Sequence, residues 1–322
     1  SCSHAEQVNL RTTGAVKLFW RIDWPMRWAY EKVDFEPAGK DHHSHGGSFD
    51  TGRRIVEEVY GAAAPTSFAY DFVRIKGGSG KISSSSGEVV SLRDMLEVYQ
   101  PEVVRYLFAS TRPNTEFAIS FDLDVIKIYE DYDRCERIAF GQEQVGEERG
   151  LKERRIYELS QVREVPSSMP EQVPFRHLCN LVQIHDGQVQ AVLDRLQLPE
   201  GSEGRRRVAA RAACAVNWLR QHAPEAFRFS VRAAGSPPLP VGEGERRALR
   251  LLREEVEQRL QTHDEKSLAE RIYAIAAEAA LDPKELFKVV YRALIGKEAG
   301  PRLAAFLLTL GRERVLDLLS DY

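Results

Sequence analysis

Val33-Asp34-Phe35-Glu36-Pro37-Ala38-Gly39-Lys40-Asp41-His42-His43-Ser44-His45-Gly46-Gly47-Ser48 and, further along, Phe72-Val73-Arg74-Ile75-Lys76-Gly77-Gly78-Ser79-Gly80-Lys81-Ile82-Ser83-Ser84-Ser85-Ser86-Gly87 are the stretches whose reading decides the fold. Each begins with a short apolar run, Val33–Pro37 and Phe72–Lys76, that reads as a strand and passes into a glycine-containing loop. Between them Thr51–Tyr60 carries Ile55, Val56 and Val59 on one side and reads as a helix. Strand, loop, helix and strand in that order predict a parallel α/β sheet. In such sheets ligands bind beyond the C-terminal ends of the strands, where both loops lie.

Outward from this segment the pattern changes to helices. Ser91–Gln100 has a serine start and an apolar stripe at Leu92, Met95, Leu96 and Tyr99. Pro101–Ser110 follows, with proline at a helix start. Asp122–Phe140 is a longer helix, Gly141–Gly150 a polar linker, and Glu164–Pro174, with three prolines, a loop. Helices are then expected over Arg205–His222, Glu245–Thr262, Leu268–Ala280, Asp282–Leu294, Pro301–Leu310 and Arg312–Leu319. Ala233–Gly244 forms a Pro/Gly break. Asp282-Pro283 is an N-cap followed by proline at the first helical position, and Gly296 is a stop. The fold class expected is α/β followed by all-α.

Composition is compatible with this. The 322 residues are a prior for about two domains, and 43% hydrophobic with 29% charged residues excludes collagen-like, disulfide-scaffold and wholly disordered chains. No apolar run approaches the ~18 residues of a membrane helix. Four cysteines, at 2, 135, 179 and 214, show no paired spacing, which suits a reducing, cytoplasmic setting. Charge is uneven: the net is −6 over residues 1–150 and +3 over the remainder, where 22 of 27 basic residues are arginine. Arginine suits bidentate phosphate contact, and nucleic-acid binding needs only a local basic surface.

The glycine-flanked run Lys81-Ile82-Ser83-Ser84-Ser85 combines one lysine with hydroxyls, a set suited to an anion. A P-loop reading fails, because Ile75 stands at its first glycine and Ile82 at its Ser/Thr. A solvated Gly/Ser linker remains the alternative. In Gly39–Ser48, three of the eight histidines fall within four residues. Asp41, His42, His43 and His45 are adjacent rather than spaced as metal ligands usually are. An active-site loop is the favoured reading and a His-bearing loop without function the other. Upstream, Trp20-Arg21-Ile22-Asp23-Trp24-Pro25-Met26-Arg27-Trp28 is either packed aromatic core or, with Asp23, a pocket for an ammonium group.

Lys81–Ser85 resembles the Lys-Met-Ser-Lys-Ser signature of class I aminoacyl-tRNA synthetases, with Ser84 in place of the second lysine. Trp20–Trp28, Val33–His42 and Lys81–Ser85, in this order, closely resemble archaeal-type class I lysyl-tRNA synthetase, a family also found in some bacteria. Tyr291-Arg292-Ala293-Leu294-Ile295-Gly296-Lys297-Glu298-Ala299-Gly300-Pro301-Arg302 is typical of that family's end. The resemblance spans essentially the whole chain. It implies a lysine–tRNA ligase that activates L-lysine with ATP and Mg2+ and esterifies tRNA(Lys) in translation.

Carried onto this chain, the resemblance assigns Trp20, Asp23, Trp24 and His42 to the lysine pocket. Asp41, His43, Gly46, Gly47 and Lys81 fall on the ATP side, and Lys81, Ser83, Ser84 and Ser85 in the catalytic phosphate loop. It implies the C-terminal part of a Rossmann-like catalytic domain over 1–90, a connecting stem-contact region over 91–165 and an α-helix-bundle anticodon-binding domain over 166–322. Arg205, Arg206 and Arg207 are candidate tRNA phosphate contacts or a solvated helix start. The family's first signature, His-Ile-Gly-His, does not occur here, and residue 1 is serine. A truncated form is therefore expected, lacking adenylate synthesis unless complemented. Cys2 and His4 read as the possible remnant of a zinc knuckle. Alternatives are a non-catalytic tRNA- or RNA-binding fragment or paralogue, and a glutamyl-type class I synthetase; neither a membrane nor DNA is an expected partner.

Overall fold

The computed structural model describes residues 5–77, 90–233 and 235–322. The chain divides into two compact units, one of residues 1–89 with 111–119 and one of residues 90–110 with 120–322.

In the first unit, α1 (Trp20–Glu31) is followed by β1 (Ala38–Gly39), α2 (Lys40–His43), α3 (Ser48–Glu58), β2 (Ala69–Tyr70), β3 (Val73–Ile75) and β4 (Phe117–Ile119). β1 pairs in parallel with β2, and β3 in parallel with β4. The expected parallel α/β arrangement is present locally, but the details differ. Val33–Pro37 is not itself a strand. Phe35 forms a single bridge to Thr66, and regular pairing begins at Ala38. Pro37 has no N–H to give a ladder, so the pairing bonds come from Glu36 N to Thr66 O (3.0 Å) and Ala38 N to Phe68 O (3.2 Å). β2 and β4 escaped the sequence reading because pieces of two or three residues carry no periodicity. Gly39–Ser48, expected as a loop, contains the single turn of α2.

The core of this unit is aromatic. Trp24, Trp28, Ala38, Phe49 and Val56 are buried together. Gly52 on α3 lets α1 approach, because a Cβ there would lie 3.1 Å from the Trp28 ring.

The second unit holds α4 (Leu92–Val98), α5 (Pro101–Ala109), α6 (Asp124–Ala139), α7 (Glu147–Ser160), α8 (Phe175–Ile184), α9 (Val189–Arg195) and α10 (Glu203–Gln221). It continues with α11 (Glu243–Arg259), α12 (Glu265–Glu278), α13 (Pro283–Ile295), α14 (Leu303–Leu310) and α15 (Arg312–Leu318). The caps act as the sequence implied. Ser91 and Asp94 form a capping box on α4, and Asp282 caps α13, which Gly296 ends in the left-handed region at φ 69°. The polar linker expected at Gly141–Gly150 is corrected: α7 begins within it, at Glu147. Among the described residues no helix is long and apolar enough to cross a membrane, and Cys135, Cys179 and Cys214 are unpaired and buried.

α10 packs on α4, α8 and α9, and α6 on α5, α7 and α8. Across these helices runs a buried charge network. Arg211 Nη1 donates to Asp133 Oδ2 at 2.9 Å and Arg211 Nε to Gln100 Oε1 at 2.8 Å. Arg207 Nη2 donates to Glu136 Oε1 at 2.7 Å, and Glu136 also accepts from Tyr157 Oη at 3.0 Å and Gln172 Nε2 at 2.8 Å. Burial holds the Asp133 carboxyl above the usual carboxylate range, with the charge of Arg211 opposing it. α11 to α15 enclose a second core that Ile184 of α8 and Val231 join.

A buried carboxylate that loses its partner costs about 3–5 kcal/mol. Arg211→Met is therefore expected to lower the stability of the second unit by that amount. Asp133→Leu added to it should recover part of the loss, both read from urea denaturation midpoints.

Candidate functional site

Trp20, Trp24 and Trp28 lie at i, i+4 and i+8 of α1, one above the other on one face. Trp20 stacks on Trp24 at 4.9 Å and Trp24 contacts Trp28 at 5.0 Å between ring centres. Trp24 and Trp28 are buried, whereas Trp20 remains 50% exposed. The inner two rings are core and the outer ring lies at the surface. Phe49 packs on Trp24 and Trp28 at 5.7 and 4.9 Å.

α2 carries the histidines to this aromatic face. The His42 ring meets Trp24 edge-on at 5.5 Å, and its Nδ1 lies 2.6 Å from Ser48 Oγ. His42 is exposed, and its Nε2 has no partner among the described residues. His43 faces inward and stacks on Phe49 at 4.4 Å. Ser67 Oγ donates to Glu36 O at 2.7 Å, so it accepts from His43 Nε2–H at 2.8 Å; the tautomer is assigned from that network. The two neighbours therefore differ: His42 offers a free ring nitrogen at the surface, while His43 is spent on the fold.

The turn Ser44–Gly47 joins α2 to α3. Gly46 has φ 71°, in the left-handed region that favours glycine. At Gly47 a Cβ would lie 2.4 Å from His42 O, 2.7 Å from Ser44 O and 2.9 Å from Asp41 O. Only glycine fits there, and the obstacle is backbone. Arg21 Nη1 donates to Gly46 O at 2.8 Å and Gly46 N to Asp50 Oδ2 at 2.9 Å. Arg21, Ser48, Phe49, Asp50 and Ser67 were not picked out from the sequence. Their partners lie up to 31 residues away, so no local pattern marks them.

Asp23 accepts from Arg27 Nε at 2.9 Å, one turn along α1. Pairs of this kind on a helix surface contribute only about 0.3–0.5 kcal/mol, so another cation can displace Arg27. Lys40 Nζ is 2.7 Å from Asp71 Oδ1 and lies 4.9 Å from the centre of the Phe72 ring. The hydrogen bond to Asp71 raises the Lys40 pKa and lowers that of Asp71. Asp41 is exposed at the same turn.

The structure thus brings Trp20, Trp24, His42, Gly46 and Gly47 into one region of the first unit. Lys81, Ser83, Ser84 and Ser85 lie outside the described residues, as do Cys2 and His4. Among the described residues no group of His, Cys, Asp and Glu is arranged to hold a metal ion.

In the second unit the three arginines do not form one surface. Arg205 is buried and donates to Asp194 Oδ1 at 2.6 Å and Leu198 O at 2.7 Å. Arg207 faces Glu136, whose side chain is 0% exposed. Both guanidinium groups answer carboxylates of the fold. Arg206 alone is exposed.

The family model described as "tRNA synthetases class I (K)" matches residues 1–163. A lysine–tRNA ligase of Treponema pallidum is 52% identical over the whole chain, and one of Borreliella burgdorferi 48%. A lysine–tRNA ligase of the archaeon Pyrococcus horikoshii is 41% identical over 97% of the chain. The chain spans 61%, 61% and 60% of these relatives' lengths. A glutamate tRNA ligase structure from Elizabethkingia meningosepticum covers 94% of this chain and 59% of its own, at 13% identity and a TM-score of 0.40.

Gly47→Ala is expected to destabilise the first unit by about 1–3 kcal/mol, the usual cost of forcing a methyl group into filled space. Thermal melting followed by tryptophan emission reports it, since Trp24 and Trp28 lie in the core beside this turn. A melt matching wild type would show that the turn adapts.

Proposed function

The chain belongs to the class I (K) tRNA synthetases, and from that premise we propose that it contributes to ATP-dependent ligation of L-lysine to lysine tRNA in the cytoplasm, on its own or together with the family's first-signature segment. The observation that carries the reading is the surface where the exposed Trp20 ring and the open His42 nitrogen meet the Gly46-Gly47 turn. In this reading the lysine methylenes lie against the exposed Trp20 ring, which the buried Trp24 backs. The ε-ammonium takes Asp23 from Arg27, and His42 donates to or accepts from the amino acid head group. Asp41 and the Gly46-Gly47 backbone border the nucleotide, and His43 positions that turn from beneath.

The lysine carboxylate attacks the α-phosphorus of ATP, which is bound as its Mg2+ complex. Pyrophosphate leaves and lysyl-adenylate forms. A hydroxyl of the terminal adenosine of the tRNA then attacks the lysyl carbonyl, and AMP leaves. Lys81, with Ser83, Ser84 and Ser85, meets the charge developing on the pyrophosphate. Electrostatic stabilisation of this kind is usually the largest single contribution to rate. Because Ser84 stands where the family has a second lysine, Lys81 is the loop's one cation.

We assign residues 1–90 to the Rossmann-like catalytic domain, 91–165 to a connecting region contacting the tRNA stem, and the helical 166–322 to anticodon binding. The last of these agrees with the mostly helical content of that part and with its arginine-rich composition.

Lysine-dependent ATP–pyrophosphate exchange and aminoacylation of lysine tRNA test the reading. Trp24→Ala and His42→Ala are expected to raise the KM for lysine about tenfold or more. Lys81→Ala should lower kcat by about 10²–10³ with little change in that KM. Binding of lysine tRNA without either reaction would identify the chain as an RNA-binding module instead.

A further inference from the structure

His42 and His43 are neighbours on α2, and each ring is paired with a serine. His42 Nδ1 lies 2.6 Å from Ser48 Oγ, and His43 Nε2 lies 2.8 Å from Ser67 Oγ. A serine hydroxyl has one proton to give. Where that proton goes decides which nitrogen of the neutral ring opposite carries its own.

The two serines are placed differently. Ser67 gives its proton to Glu36 O at 2.7 Å and so can only accept from His43. Ser48 has no such outlet. It is 7% exposed and opens α3 without making a capping bond. Among the described residues its hydroxyl meets the His42 ring alone. If Ser48 accepted, its own proton would be buried without an acceptor, at the full desolvation cost of that group. Donation leaves both atoms paired. The 2.6 Å separation agrees, being shorter than the about 2.7–3.2 Å that an N–H donor usually keeps. Nδ1 of His42 is therefore the acceptor, and the proton of the neutral ring sits on Nε2.

The two histidines thus share a tautomer but not a direction. His43 turns its N–H into the fold. His42 is exposed and held edge-on to Trp24 at 5.5 Å, and its N–H has no partner among the described residues. Resting on the reading of this surface as the lysine site, we propose that Ser48 is a positioning residue. It fixes His42 as an Nε2–H donor, and that donor meets a carboxylate oxygen of the amino acid. An α-ammonium has three donors and no acceptor, so a ring locked in this tautomer cannot bind it. With one carboxylate oxygen held by His42, the other is left to attack the α-phosphorus of ATP.

Two-bond nitrogen–proton correlation of histidine-labelled protein, at about pH 8 where neutral imidazole prevails, reads the tautomer, and His42→Gln identifies the His42 signal by its loss. Wild type should show His42 protonated at Nε2 alone, and Ser48→Ala a mixture of both tautomers. Quenching of tryptophan emission reads ligand binding, since Trp20 lies at this surface. Ser48→Ala is expected to weaken binding of lysine, and of ε-aminocaproate, which lacks the α-ammonium, by about three- to tenfold. Cadaverine, which lacks the carboxylate, should bind wild type and Ser48→Ala equally. The amide introduced by His42→Gln carries a donor that needs no serine. Ser48→Ala added to His42→Gln should therefore change lysine affinity by less than about twofold.

A wild-type His42 protonated at Nδ1, or a Ser48→Ala loss as large for cadaverine as for lysine, overturns the proposal while leaving the ligase reading intact. So does the full Ser48→Ala loss persisting beside His42→Gln. Failure of wild type to bind lysine overturns the carboxylate contact together with the lysine site, and the tautomer of the free protein then shows separately whether Ser48 fixes the ring.

Discussion

Two carboxylates of α6, Asp133 and Glu136, are withdrawn from water, and the second unit is arranged to meet their charge. Removing an ion from water costs several kcal/mol even after the protein relaxes. The cost is offset only where partners are held in good geometry. α10 supplies them one turn apart, Arg207 to Glu136 and Arg211 to Asp133. Positions i and i+3 on one helix therefore face i and i+4 on another. Gln100, Tyr157, Gln172 and the Val173 carbonyl add further hydrogen bonds to it. One network thereby fixes the register of α10 against α6 and ties in α7 and the segment before α8.

In the first unit the corresponding constraint is steric. Glycine at residue 52 lets the Trp28 ring sit closely on α3, and the chain can turn from α2 into α3 only because residue 47 is glycine. Phe49 then fills the space between the indoles and stacks on His43. His42 and the outer face of Trp20 are left at the surface on a packed aromatic scaffold. A binding surface held this way loses little side-chain freedom when a ligand arrives.

Much of the helical architecture was legible in the sequence. Ser91 with Asp94, and Asp282-Pro283 with Gly296, mark ends through local hydrogen bonds and torsions that need no distant partner. α7 was not legible. Its first half is charged and exposed, and only Ile156, Tyr157 and Ser160 near its end are buried, so no apolar stripe appears. β2 and β4 were missed because strands this short are defined by their partners alone. At the site, the tryptophans, histidines and glycines stood out by type and spacing. Arg21, Phe49 and Ser67 did not, because each acts across a long separation in the chain.

By itself the sequence determined which residues stand out as candidates for the chemistry, where most helices begin and end, and which family the motifs resemble. Those follow from backbone torsion, capping and side-chain type, all set within a few residues. Tertiary structure alone decided how the charges and rings are used. Arg205 and Arg207 turn inward while Arg206 stays out; His43 is half-buried beside the exposed His42. These outcomes depend on desolvation and close packing between groups far apart in the chain, which no local pattern encodes.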